Sequence, residues 1–200
     1  MKLEFEKKQI KISGKVVNNL DKFVLSITKI LEKHTNYVIV SGYVAIFFGR
    51  TRATEDIDIL IENKNINNFL KEVIKEGYWV INTTSTEDAA DMLYSGSPIR
   101  IAKKNNINPN VEIKFPKMEL DKYALNNKIK VMFDHEYFFT SEIELQIVYK
   151  FLLGSPKDIE DALHIFNIFK DRIDKNKIIK HANTLNVKKI IRKYLGGGYV

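Results

Sequence analysis

The chain has 200 residues, 44% of them hydrophobic, with twelve phenylalanines and no cysteine. That length suits one domain or a domain with a helical appendage, and the missing thiols exclude disulfides and thiolate zinc sites. The net charge of +7 favours polyanionic partners such as nucleotides or RNA, with a generally lysine- and asparagine-rich composition as the plain alternative.

Residues 1–11 are charged and alternating, without the apolar core of a signal peptide. The longest mostly apolar run, residues 37–49, is too short to cross a bilayer. The expectation is a cytoplasmic protein with no membrane partner. Leu3, Phe5, Ile10 and Ile12 alternate weakly, as in a short strand. Residues 16–31 place Val17, Leu20, Val24, Ile27 and Leu31 at spacings of three and four, which predicts an amphipathic helix. A buried strand is expected over 36–40, a short helix over 43–48 and a second strand over 56–61. Next come a helix over 66–75, a strand over 78–81, a short helix over 86–93 and a strand over 99–103. The Asn108-Pro109-Asn110 turn leads to a strand over 111–115, ended by Pro116. A helix over 117–125, a turn at Asn126-Asn127 and a strand over 129–133 complete the mixed part. From 141 to 195 the pattern is helical. Ser141-Glu142-Ile143-Glu144 reads as a capping box, and Ser155-Pro156 as a cap followed by proline at the first helical position. Gly196-Gly197-Gly198 is expected to end the ordered chain.

The chemistry concentrates in 38–61, VIVSGYVAIFFGRTRATEDIDILI. On a strand Asp56 and Asp58 project to one face and Ile57, Ile59 and Ile61 to the other. Two adjacent carboxylates need a compensating cation, and a hard divalent ion such as Mg²⁺ (or Mn²⁺) prefers their oxygens. The Ser41-Gly42 turn, opening a helix, offers backbone N–H groups to phosphate. Glu112, flanked by apolar residues in Val111-Glu112-Ile113-Lys114-Phe115, is the candidate third carboxylate, with Asp134 and Glu136 as competitors. Its bland alternative is a pair with Lys114 or a solvated side chain. Arg50 and Arg52 present forks suited to phosphate, or else bridge to Glu55.

These residues resemble the nucleotidyltransferase superfamily related to DNA polymerase β. Its signature is a hydrophobic residue, Gly-Gly or Gly-Ser, a spacer of about a dozen residues and Asp-x-Asp or Asp-x-Glu. Val40-Ser41-Gly42-Tyr43 and Asp56-Ile57-Asp58 occupy those places. The segment 49–54 is similar to the Gly-Arg-x-Arg-x-Thr of a prokaryotic branch that includes AbiEii-type toxins. Residues 144–161 resemble the Glu-x-x-x-x-x-Lys and Arg-Pro-Lys-Asp-x-x-Asp segments of that branch. Three positions depart from it: Ser41 for glycine, Glu112 for aspartate and Ser155 for arginine. Glycine takes φ > 0 at less cost than serine.

The resemblance implies an α+β fold, with a nucleotidyltransferase-like mixed sheet flanked by helices over 1–139 and a helical region over 140–200. Four to six strands and three or four C-terminal helices are expected. It implies metal-dependent transfer of a nucleotidyl group from a nucleoside triphosphate to RNA, a protein or a small molecule. Asp56, Asp58 and Glu112 would bind metal, with Lys150 joining them in catalysis. Ser41, Gly42, Arg50, Arg52, Lys150 and Asp158 would bind nucleotide. Lys150 falls on the apolar side of its helix and needs an anion, which a triphosphate or an aspartate would supply. The two halves are expected to share one cleft, with Lys150 and Asp158 facing the strand acids. The rival reading is a non-catalytic nucleotide- or RNA-binding module, or a partner in a two-gene toxin–antitoxin system.

Overall fold

A computed structural model describes residues 2–54 and 56–199. The chain forms two compact units, Met1–Val40 with Ala53–Thr140, and Ser41–Arg52 with Ser141–Val200. The segment of short helix and loop between the first two inner strands thus clusters with the C-terminal helices.

The first unit opens with β1 (Lys2–Glu6) and β2 (Gln9–Ser13). The helix α1 (Asn19–His34) begins later than the sequence predicts, because Asn18 and Asp21 make a reciprocal capping box, and Val16 is left exposed. Next come β3 (Tyr37–Val40), β4 (Asp56–Ile61), α3 (Ile66–Lys75), β5 (Tyr78–Val80), α4 (Thr86–Tyr94), β6 (Ile99–Lys103) and β7 (Asn110–Lys114). The unit closes with α5 (Glu119–Asn126), β8 (Ile129–Phe133) and β9 (Glu136–Thr140). The described strands make one nine-stranded sheet in the order β1-β2-β8-β9-β3-β4-β7-β6-β5. This corrects the expectation of four to six strands. The arms β1 and β2, expected as one short strand, pair as a hairpin, and β8, expected over 129–133, turns at Asp134 with φ +51 into the unanticipated β9. That last strand, Glu-Tyr-Phe-Phe-Thr, lacks clean polar–apolar alternation, which hid it.

The sheet is mixed. β4 runs antiparallel to β3 and parallel to β7, and β6 runs antiparallel to β7. On β4, Ile57, Ile59 and Ile61 are fully buried, while Asp56 is exposed and Asp58 half-buried. The period-2 pattern is therefore realised at the acids.

In the second unit, α2 (Gly42–Phe47) accompanies α6 (Ile143–Leu153), α7 (Pro156–Phe169), α8 (Lys175–Thr184) and α9 (Lys188–Leu195). Phe48 packs edge-on against Phe169, ring centres 4.9 Å apart. Ser155 caps α7 and Pro156 opens it, as expected. The capping box expected at 141–144 does not form. Glu142 caps α6 without a side-chain bond, because its carboxylate takes the Lys177 ammonium at 2.5 Å and Glu144 accepts the Asp174 N–H at 2.9 Å. Nor does the chain lose order at the glycines: Gly197–Tyr199 is a 3₁₀ turn, with Tyr199 edge-on to Phe166 at 5.2 Å.

Ser41, the N-cap of α2, sits at φ +68, ψ −142, a region that glycine occupies freely and other residues only under strain of about 1–3 kcal/mol. Ser41→Gly should stabilise the protein by about 1 kcal/mol after the extra flexibility of the unfolded chain is subtracted. Urea unfolding followed by circular dichroism checks this; an unchanged or lower midpoint would contradict the strain.

Candidate functional site

Each unit carries its own polar cluster. In the sheet, pairing sets the first. Asp58 stands opposite Glu112 on the parallel neighbour β7, and Glu112 stands opposite Arg100 on β6. Paired residues and residues two apart share a face. Asp56, Asp58, Glu112, Lys114 and Arg100 therefore crowd one side of three adjacent strands.

The contacts close the cluster. Lys114 Nζ lies 3.2 Å from Asp58 Oδ1 and 3.5 Å from Glu112 Oε1. The guanidinium of Arg100 donates to Glu112 Oε2 from Nε and Nη2, at 3.3 and 3.2 Å. Burial pulls the Lys114 amine down, but the Asp58 and Glu112 carboxylates outweigh it and hold the amine above its ordinary value. Asp56 lies at the open start of β4, where its backbone carbonyl accepts the Thr54 hydroxyl at 2.9 Å. Glu136, on β9, is instead paired with Lys29 of α1, at 2.7 Å, and Asp134 lies in the β8–β9 turn. Among the described residues no three His, Cys, Asp or Glu side chains converge on one point. Two do: Asp58 and Glu112 aim one oxygen each at a single positive charge. Arg100 went unnoticed in the sequence, although Ile99-Arg100-Ile101 alternates about it.

The second cluster centres on Asp161, which is fully buried on α7. Arg52 grips its carboxylate with both prongs, Nε to Oδ1 at 3.0 Å and Nη2 to Oδ2 at 2.8 Å. Arg50 Nε adds a third donor at 3.2 Å and Lys150 Nζ a fourth at 3.1 Å. Arg50 also pairs with Glu160. Lys150, 2% exposed, donates to Asp158 Oδ1 at 2.7 Å, and Ser155 Oγ donates to Asp158 Oδ2 at 2.5 Å. The anion that a buried Lys150 requires is thus an aspartate pair one helix away. Both arginines, read as phosphate binders, bond to α7; their other expected partner, Glu55, lies outside the described residues. A Cβ at Gly42 would collide with the Arg52 guanidinium, so the glycine of the Ser-Gly turn also has a steric role. Burial pushes the Asp158 and Asp161 carboxyls up, but Lys150 and Ser155 at the first, and Arg52 and Lys150 at the second, hold both below the ordinary value of 3.8.

No family model matches the chain, and no curated protein matches it. Among solved structures, the fold is similar to an antigenic nucleotidyltransferase-like protein from Paracoccidioides brasiliensis. That match has 15% identity and a TM-score of 0.51, covering 87% of this chain and 91% of that one. A tRNA-processing enzyme matches at 14% identity and TM-score 0.38 over 90% of this chain and 58% of its own. A tRNA nucleotidyltransferase complexed with a primer tRNA and an incoming ATP analog matches at 13% identity and TM-score 0.34 over 84% and 60%. The chain spans about three fifths of the latter two. The fold is therefore nucleotidyltransferase-like, and the AbiEii-type branch rests on the motifs alone.

Asp161→Asn should cost about 3 kcal/mol, since it leaves buried cations without their shared anion. Because Asp158 and Asp161 titrate below 3.8 in the folded protein, the stability they add is complete above that value. It is lost as pH falls through their lowered values. Thermal melts from pH 7 to pH 2 should show a steep fall below about pH 4 that is shallower in the variant; parallel curves would refute the assignment.

Proposed function

We propose that the protein is a metal-dependent nucleotidyltransferase, moving a nucleotidyl group from a nucleoside triphosphate to a hydroxyl acceptor. The observation that carries this is the register of β4 and β7, which sets Asp58 beside Glu112 with Asp56 two residues back, on a nucleotidyltransferase-like fold. The donor set fits a divalent cation: hard carboxylate oxygens on neighbouring strands, two of them already trained on one positive charge. When bound, such an ion neutralises phosphate charge and lowers the barrier to attack by the acceptor hydroxyl. Asp58 and Glu112 would hold it, with Asp56 two residues back on the same face of β4 as the third expected ligand. Lys114 restrains Asp58 and Glu112 until a stronger cation takes them. Ser41 and Gly42 offer backbone N–H groups to the triphosphate. Arg50, Arg52, Lys150 and Asp158 serve the nucleotide by fixing the Ser41–Gly42 turn through Asp161. Lys150 supports catalysis in the same indirect way.

One observation favours the rival reading of a non-catalytic nucleotide- or RNA-binding module. Lys114 and Arg100 already neutralise Glu112, and a sheet salt bridge needs no metal. Calorimetric titration with Mn²⁺, alone and with ATP, GTP, CTP and UTP, separates the two. The transferase reading expects metal-dependent triphosphate binding that weakens at least about tenfold in Asp58→Asn. Lys114→Met should bind Mn²⁺ about tenfold more tightly than the native protein, because it removes a competing unit charge worth about 1–4 kcal/mol at this range. Absence of metal binding in both native protein and Lys114→Met would leave the non-catalytic module. Label carried from [α-³²P] triphosphates into the RNA, protein or small-molecule fraction of a lysate would identify the acceptor.

A further inference from the structure

Positive charge is not spread along this chain. Residues 1–169 hold 23 Lys and Arg against 23 Asp and Glu, whereas residues 170–200 hold nine against two. The last 31 residues therefore carry the entire net charge of +7. A composition that is lysine-rich throughout would leave an excess in both parts, so it does not account for the distribution.

Seven of these nine cations lie on α8 and α9; Lys177 of α8 is paired with Glu142, and the densest group is on α9. At 100° per residue, Lys188, Lys189, Arg192 and Lys193 of α9 fall within an arc of about 140°, and all four are exposed. None of the four forms an ion pair among the described residues. The opposite arc is consumed by packing: Ile191 is fully buried, and the Tyr194 ring stacks on Phe151 with centres 5.7 Å apart and planes 19° apart. On α8, Ile178, His181 and Ala182 are buried, while Lys180 stands among exposed Asn176, Asn183 and Thr184.

We infer that the solvent face of α8 and α9 is a docking surface for RNA. The four exposed cations of α9 match a phosphate backbone and release its counterions. The exposed amides of Asn176 and Asn183 beside Lys180 suit the 2′-hydroxyl that distinguishes RNA from DNA. A lipid surface fits less well, because membrane-seeking helices bury an apolar face in the bilayer and the apolar face of α9 is already spent on the protein. The surface stands whether or not the sheet acids catalyse transfer.

Fluorescence anisotropy with the full chain and a short single-stranded RNA tests this. Combining Lys188→Glu, Lys189→Glu, Arg192→Glu and Lys193→Glu should weaken binding at least about tenfold and lower the log–log salt slope by about 3, at about 0.7 per lost phosphate contact. Lys7→Glu, Lys8→Glu, Lys103→Glu and Lys104→Glu, which make the same change in net charge at other exposed positions, should leave affinity within about twofold, because direct contacts of the α9 cations with phosphate, and not net charge, set the binding. If the glutamate variant loses helicity, Lys188→Gln, Lys189→Gln, Arg192→Gln and Lys193→Gln, with unchanged circular dichroism, gives the reading in its place. Equal losses in the α9 variant and the control would overturn the inference. So would DNA of the same sequence binding as tightly as RNA, or anionic phospholipid vesicles being retained while RNA is not.

Discussion

The helical unit depends on one ion, the Asp161 carboxylate. A charge with no solvent exposure is costly unless every lone pair is met. Here four N–H donors from Arg50, Arg52 and Lys150 meet it. Each donor brings something with it. Arg52 draws in the loop after α2 and leaves room for nothing larger than glycine at position 42. Lys150 fixes α6 to α7 and passes its second contact to Asp158, which Ser155 anchors at the start of α7. Removing the ion would take away the anion that three cations share, so the local structure is decided by electrostatic satisfaction as much as by apolar packing.

The sheet solves a like problem with looser means. Strand register forces Asp58 and Glu112 together, and Lys114 and Arg100 absorb the repulsion. These pairs are partly open to water, at distances of 3.2–3.5 Å, where ion pairs contribute little to stability. The contrast matters for function. Asp161 is bound tightly by a bidentate fork in a dry setting and is poorly suited to exchange partners. Asp58 and Glu112 are held by a flexible amine that another cation can replace, so the sheet cluster has the plasticity a binding site needs.

Legibility in the sequence followed the range of the interactions. The strand over 56–61, the helix over 66–75 and the strands over 99–103 and 129–133 were readable to the residue, because period-2 and period-3.6 patterns are local. The Ser155-Pro156 start was readable for the same reason. Register was not: alternation puts Asp58 and Glu112 on faces of their own strands, but only pairing makes those faces one. The same holds for Arg100, which looks like any solvated strand residue until β6 is laid beside β7. The capping box at 141–144 failed because tertiary partners, Lys177 and the Asp174 N–H, claimed both glutamates. Arg50 and Arg52 showed their chemistry, guanidinium forks seeking an oxyanion. Their observed anion, a carboxylate more than a hundred residues away, is beyond any local pattern.

Charge is also sorted by role. In the two clusters Asp58, Glu112, Asp158 and Asp161 each lie beside at least one cation, Lys114 and Lys150 being shared. Over 1–169 as a whole, 23 Lys and Arg balance 23 Asp and Glu. An excess of cations inside those clusters would pull triphosphate or metal-binding carboxylates into non-productive pairs. An excess on the outer face of α9 costs the folded state little, since water and salt screen it. The short-range chemistry thus rests on matched charges in the sheet and around Asp161, and long-range attraction on the exposed cations of α9.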